Sequence, residues 1–204
     1  MQYIDLTRLF TATMPVYPGD PVPELVRIAD IVPDGYTDYR INTGMHVGTH
    51  MDAPLHMIEH GKYLSEMNIE RFFGKGHLID ARAKDISADL LEGRTIHPGD
   101  MILLFTGCGE KFGSSEYYEQ YPEVSEDFAR KAVELGVSIV GMDTPSPDRS
   151  PFNVHKILLG NDILIIENLT NLENLIDVKD FEVIALPAKF QTEAAPVRVI
   201  VRTQ

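Results

Sequence analysis

The 204-residue sequence has a single cysteine, Cys108. No disulfide can close within the chain, and a thiolate metal cluster would need more sulfur than it holds. With no histidine near it in sequence, Cys108 reads as a small buried side chain and not as a nucleophile. Positive charge is also scarce: 18 Lys and Arg stand against 31 Asp and Glu, a formal charge of -13, with no basic run as an exception. Nucleic acid and anionic membrane surfaces are therefore poor partners. Long hydrophobic runs are missing, since MILLF and ILII have only strand length, and MQYIDLTRLF carries neither a basic leader nor an apolar stretch. The expectation is a soluble cytoplasmic protein. Repeats, low-complexity tracts and Ser/Gly-rich linkers are absent too, which predicts one domain over residues 1–204.

What is present is strand. YIDLT, ELVRIADIV, YRINTGM, HLIDARA, DMILLFTG, SIVGMDT, DILIIEN, FEVIALPA and VRVIVR are apolar segments, many of them bounded by Gly, Pro, Asn or Asp. VRVIVR alternates, as a strand with one wet face should, whereas IVGMD and ILIIE are continuously apolar and predict central strands covered on both sides. SEDFARKAVELG predicts a helix, with Ser125 as N-cap, Glu126 and Asp127 at the positive end of the dipole, and Gly136 at the C-terminal left-handed position. Shorter helices are predicted around ISADLLEG and VHKILLG. The class is α/β mixed, strand-rich, with a mixed sheet.

The stretch HVGTHMDAPLH, residues 46 to 56, gathers three of the seven histidines and one aspartate. Neutral imidazole and carboxylate hold divalent metals at ~2.0 to 2.2 Å, so their ligand atoms must converge. A straight strand would keep His46 and His50 ~13 Å apart at ~3.3 Å per residue. A helical turn would bring them together, but Gly48 and Pro54 oppose it. The spacing therefore predicts a strand ending near Met45, a bend at Gly48 and a compact turn that delivers Asp52. Thr49 could bond a ligand or cap that turn, and His56, beyond Pro54, could be a third imidazole ligand or an unligated acid/base. A lone histidine in a loop is commonly only solvated; three with an interleaved Asp and Gly are harder to dismiss.

A second site needs ligands from elsewhere. His155, in VHKILLG, and Glu167, a carboxylate abutting four apolar residues and so in need of a partner, are the best candidates. Asp143 and Asp148 flank TPSP. Asp148 is read as shaping the turn, and Asp143 is left as the carboxylate that could stand behind a ligand.

HVGTHMDAPLH fills the pattern HxGTHxDxPxH without a gap, and in this the chain resembles the cyclase family that includes bacterial kynurenine formamidase and isatin hydrolase. YPGDP (residues 17 to 21), GMDTPSPD (141 to 148) and FEVIALPAKFQTEAAPVRVIV resemble further elements of that family. The resemblance implies a single-domain swivelling β/β/α fold, a homodimer or homotetramer, and two divalent metal ions, Zn²⁺ or Mn²⁺. It implies that His46, His50 and Asp52 bind the first ion, that Asp52 bridges, that His155 and Glu167 complete the second, and that His56 is the acid/base. The implied reaction is hydrolysis of an amide C–N bond in a small molecule. An aryl formamide such as N-formylkynurenine is the leading substrate and an isatin-type cyclic amide the next; a metal-dependent binding protein without turnover is the rival class. Tyr17 stands where many kynurenine formamidases have tryptophan and, with Phe72 or Phe73, could supply a stacking surface.

Overall fold

The computed structural model describes residues 1–203. In chain order its elements are β1 (Gln2–Asp5), β2 (Glu24–Ala29), a helical turn α1 (Ile31–Asp34), β3 (Asp38–Asn42), β4 (His50–Asp52), β5 (Phe73–Asp80), β6 (Met101–Phe105), α2 (Ser115–Glu119), α3 (Glu126–Leu135), β7 (Ile139–Met142), α4 (Asn153–Leu159), β8 (Leu164–Glu167), β9 (Phe181–Pro187) and β10 (Ala194–Thr203). Short 3₁₀ turns fill several connections.

Seven strands close on themselves in the order β10-β4-β8-β7-β6-β5-β9, with β9 pairing back to β10. Closure depends on the length of β10: Ala194–Pro196 pair with β4, while Val197–Thr203 pair with β9. β1 adds to the far half of β10. β5, β6, β7 and β8 run parallel and the other pairs antiparallel, so the sheet is mixed, as expected.

The apolar pattern explains the layering. On β6, Met101, Leu103 and Phe105 pack inside the closed sheet, while Ile102 and Leu104 face outward. Outside, they meet Phe128, Ala129 and Ala132 of α3 and Val154, Leu158 and Leu159 of α4. Strands covered on both sides must be apolar at every position, and this is why MILLF and ILII lack alternation. β10 does alternate, with Val197, Val199 and Val201 inside and Arg198 and Arg202 outside. α3 has the predicted ends: the Ser125 hydroxyl accepts from the Phe128 N–H at 3.3 Å, and Gly136 adopts φ +70°.

One expectation needs correction: ISADLLEG forms only a 3₁₀ turn, Ala88–Leu91. ELVRIADIV and YRINTGM do not join the main sheet. They form a separate two-stranded ribbon, β2 with β3, on which Ile28, Val32, Tyr36, Tyr39 and Ile41 are exposed. Among the described residues, no helix is long and apolar enough to cross a membrane.

Candidate metal centre

β4 and β8 are antiparallel neighbours whose register sets His50 directly opposite Glu167. Met51 and Ile166 point into the core, so the period-2 alternation of a strand turns His50, Asp52 and Glu167 to the other face. There α4 lies over β8 and brings down His155, which is buried. His46 arrives by the bend. Gly48 takes φ +70°, a backbone conformation that favours glycine, with the terminal methyl of Met14 packed where a Cβ would lie. The predicted bend is therefore present, but the strand before it ends at Asn42, and Asp52 is delivered by a strand and not by a turn.

The predicted ligands converge. His46 Nδ1 is 3.0 Å from Asp52 Oδ1, and His50 Nε2 is 3.5 Å from the same oxygen and 3.2 Å from Glu167 Oε2. His155 Nε2 lies 3.5 Å from Glu167 Oε1. His56 joins them, its ring centroid 4.3 Å from that of His46 and 5.7 Å from that of His155. Two sets of donor atoms, His46/Asp52/His56 and His50/Asp52/Glu167, each lie within 4.8 Å of one another, with Asp52 common to both.

Asp52 is fully buried, and neither of its oxygens has an aligned hydrogen-bond donor among the described residues; the same holds for His50 Nε2. A buried carboxylate without donors is costly unless a cation compensates it. Burial alone would push the His50 imidazole down, but the Asp52 charge and Glu167 outweigh it and raise its pKa to about 9. For His155, burial is likewise outweighed, by hydrogen bonds to Asp148 and Glu167, and its pKa rises to about 10. Without a metal, protons thus serve as the compensating cations at neutral pH, and a divalent ion must displace them to bind. His56 differs: burial, reinforced by the charges of His46 and His155 against the pull of Asp52, lowers its pKa.

Two of the three ligand imidazoles are held from behind. His50 Nδ1 bonds to the Gly48 carbonyl at 2.8 Å, leaving Nε2 facing Asp52 and Glu167. His155 Nδ1 bonds to Asp148 Oδ1 at 2.5 Å, while Asp148 Oδ2 accepts the Val154 N–H at 2.7 Å. This corrects the reading of GMDTPSPD. Asp148, assigned to turn-shaping, is the carboxylate behind a histidine. Asp143 instead accepts from the backbone N–H groups of Thr106 and Gly107 and the hydroxyl of Thr106, and it touches no site histidine. Thr49 is also corrected. It neither bonds a ligand nor caps a turn; its hydroxyl donates to the Asn168 carbonyl at 2.8 Å and accepts from the Arg8 N–H at 3.0 Å, tying β4 to the end of β8. Loss of a carboxylate behind a ligand histidine costs typically 10–100-fold in metal affinity. Asp148→Asn is therefore expected to weaken metal binding by about 10–100-fold, read by competition with a chromophoric chelator, and an unchanged affinity would remove Asp148 from this role.

The cluster floors a cavity of about 230 Å³ walled by Tyr17, Asp20, Tyr118 and Phe152. The Tyr17 and Tyr118 rings meet edge to face at 5.9 Å. Phe72 packs in the core, and neither it nor Phe73 reaches this cavity. Asp20 belongs to YPGDP, whereas Tyr118, Phe152 and Asn168 carry no role in the sequence reading; for Tyr118 the aromatic density of YYEQY is the available signal.

Residues 4–149 match the family described as "Putative cyclase". An uncharacterized protein of Methanocaldococcus jannaschii is 35% identical over 98% of each chain. A kynurenine formamidase of Bacillus mycoides is 28% identical over 98% of this chain and 97% of its own. The solved structure of a predicted metal-dependent hydrolase from Bacillus stearothermophilus superposes with a TM-score of 0.80 at 30% identity, covering 98% of this chain and 97% of that one. Isatin hydrolase A from Labrenzia aggregata superposes with a TM-score of 0.85 at 22% identity, over 98% and 93%, and shows the same fold. The predicted strand-rich mixed α/β architecture is thus that of these proteins, and the chain belongs to the cyclase family of metal-dependent hydrolases.

Proposed function

We propose that the protein hydrolyses the C–N bond of an aryl formamide, N-formylkynurenine first among them, to formate and an arylamine. The observation that carries the metal requirement is Asp52: a fully buried carboxylate that faces imidazole nitrogens, His46 Nδ1 at 3.0 Å among them, and is shared by two sets of converging ligand atoms. The choice of a formamide rests on the kynurenine formamidase relative at 28% identity and on an aromatic-walled cavity directly above the cluster.

In this reading His46, His50 and Asp52 would hold one divalent ion, and Asp52, His155 and Glu167 a second, Zn²⁺ or Mn²⁺, although the donor atoms that converge most tightly group as His46/Asp52/His56 and His50/Asp52/Glu167. Such ions lower the pKa of water toward neutrality and polarise a carbonyl oxygen. The chain's own residues do the rest. Tyr17 and Tyr118 offer faces and edges to a planar aryl group. His56, whose lowered pKa keeps it neutral near pH 7, accepts a proton as water adds to the carbonyl carbon. It then gives that proton to the nitrogen as the C–N bond breaks, since an amide anion is a poor leaving group. The ribbon of β2 and β3, whose extensive contacts are with each other and whose Ile28, Tyr39 and Ile41 are exposed, supports self-association as a dimer or tetramer.

A panel of N-formylkynurenine, formanilide and isatin, assayed with Zn²⁺ and with Mn²⁺, tests the assignment. Formamide turnover is expected. Turnover of isatin alone would move the substrate to cyclic amides, and tight ligand binding with no turnover of any of them would make the protein a binder.

A further inference from the structure

Glu167 and the imidazoles of His46, His56 and His155 line the cavity together with Ser146 and Asn168. Ser146 spends its hydroxyl proton on the Asp148 carbonyl at 2.8 Å. Asn168 differs. It follows Glu167 at the end of β8 and turns the chain with φ +60°, a conformation that asparagine adopts more readily than most residues. Its backbone is fully committed, with the N–H donating to the Thr144 carbonyl at 3.0 Å and its own carbonyl accepting from Thr49. The side chain is equally constrained. Oδ1 lies 2.8 Å from the hydroxyl of the fully buried Tyr117, whose single proton it shares with the Asp143 carbonyl at 3.2 Å, and the shorter contact orients the carboxamide plane. Only 6% of Asn168 is exposed, yet it lines the cavity beside Glu167, His56 and His155, and its Nδ2 has no hydrogen-bond partner among the described residues.

We infer that the Asn168 carboxamide is a catalytic donor: Nδ2 binds the carbonyl oxygen of the amide substrate and the oxyanion that replaces it when water adds. The inference rests on the amidohydrolase reading above and extends it to a residue that touches the reacting atoms. A donor fixed in advance stabilises developing charge without reorganising, because its orientation is already set by Tyr117. Addition of water turns the carbonyl oxygen into a full anion, so the bond strengthens between ground state and transition state. Its loss therefore falls on kcat and leaves KM nearly unmoved.

The test uses Asn168→Gly and Asn168→Asp in the metal-loaded protein. Both replacements tolerate the left-handed backbone, whereas alanine would add strain of about 1 kcal/mol. Glycine removes the donor; aspartate keeps the acceptor for Tyr117 but sets an anionic oxygen where the donor was. With N-formylkynurenine or formanilide, Asn168→Gly is expected to lower kcat by about 10²–10³-fold, with KM and metal content retained, and Asn168→Asp to lower it further. A readout independent of turnover is the side-chain NH₂ resonance pair of [¹⁵N]asparagine-labelled protein that vanishes in Asn168→Asp: formate is expected to shift it. Variants that both keep kcat within about threefold of wild type, metal loss in step with kcat, or an unmoved resonance pair would each overturn the inference. If the wild type itself turns over no formamide, the amidohydrolase reading fails and this inference with it; an active wild type with unaffected variants overturns this inference alone.

Discussion

Asp52→Asn is expected to leave the purified protein without stoichiometric divalent metal and to abolish measurable turnover, while the fold persists. Removing a carboxylate that merely supports a ligand costs about 10–100-fold in metal affinity, and Asp52 is common to both sets of ligand atoms, so its loss should exceed 100-fold. Asparagine keeps the volume of a fully buried side chain and removes only the charge. Elemental analysis, thermal unfolding and activity on the same preparation separate the outcomes. Wild-type metal content in the variant would show that the cation is held elsewhere. A collapse of thermal stability in chelator-treated wild type and variant alike would assign Asp52 a structural part as well.

His56→Ala should give the contrasting result: metal content unchanged and kcat lowered by about 10²–10⁴-fold, the range of a positioned acid/base. The contrast follows from the lowered pKa of His56, against the raised values of His46, His50 and His155. A neutral imidazole beside the ligand cluster suits proton transfer. Yet the ligand atom of His56 lies within 4.8 Å of those of His46 and Asp52, close enough to coordinate. Metal loss in His56→Ala, measured by elemental analysis, would place it in the coordination set and leave the proton to another group. The pH profile adds a second check: if His56 is the acid/base, the acidic limb of kcat should vanish in the variant that retains metal.

Much of the centre was legible in eleven residues. Two histidines and an aspartate could not meet on a straight strand, and the glycine between them marked where the chain must turn; the left-handed backbone and the Met14 side chain packed against Gly48 bear this out. The continuous apolarity of β6 and β8 announced strands covered on both faces, and the cap residues of α3 announced its ends. These are local matters, governed by the period of a strand, the freedom of glycine and the orphan groups of a helix terminus.

Long-range matters were not legible. Glu167 stands opposite His50 because β4 pairs antiparallel with β8 in one register, and no feature within ILIIE specifies that partner. Asp148, and not Asp143, stands behind His155; the two share a short loop, and only its path decides which carboxylate reaches the imidazole and which closes on Thr106 and Gly107. Tyr118 and Asn168 enter the cavity from segments that carry no motif. The sequence by itself determined which residue types and which bend make a divalent-metal ligand set possible, because imidazole, carboxylate and glycine act through their own chemistry. Only the tertiary structure decided which distant side chains complete it, because hydrogen-bond register and helix packing act between segments more than a hundred residues apart, beyond the reach of any local pattern.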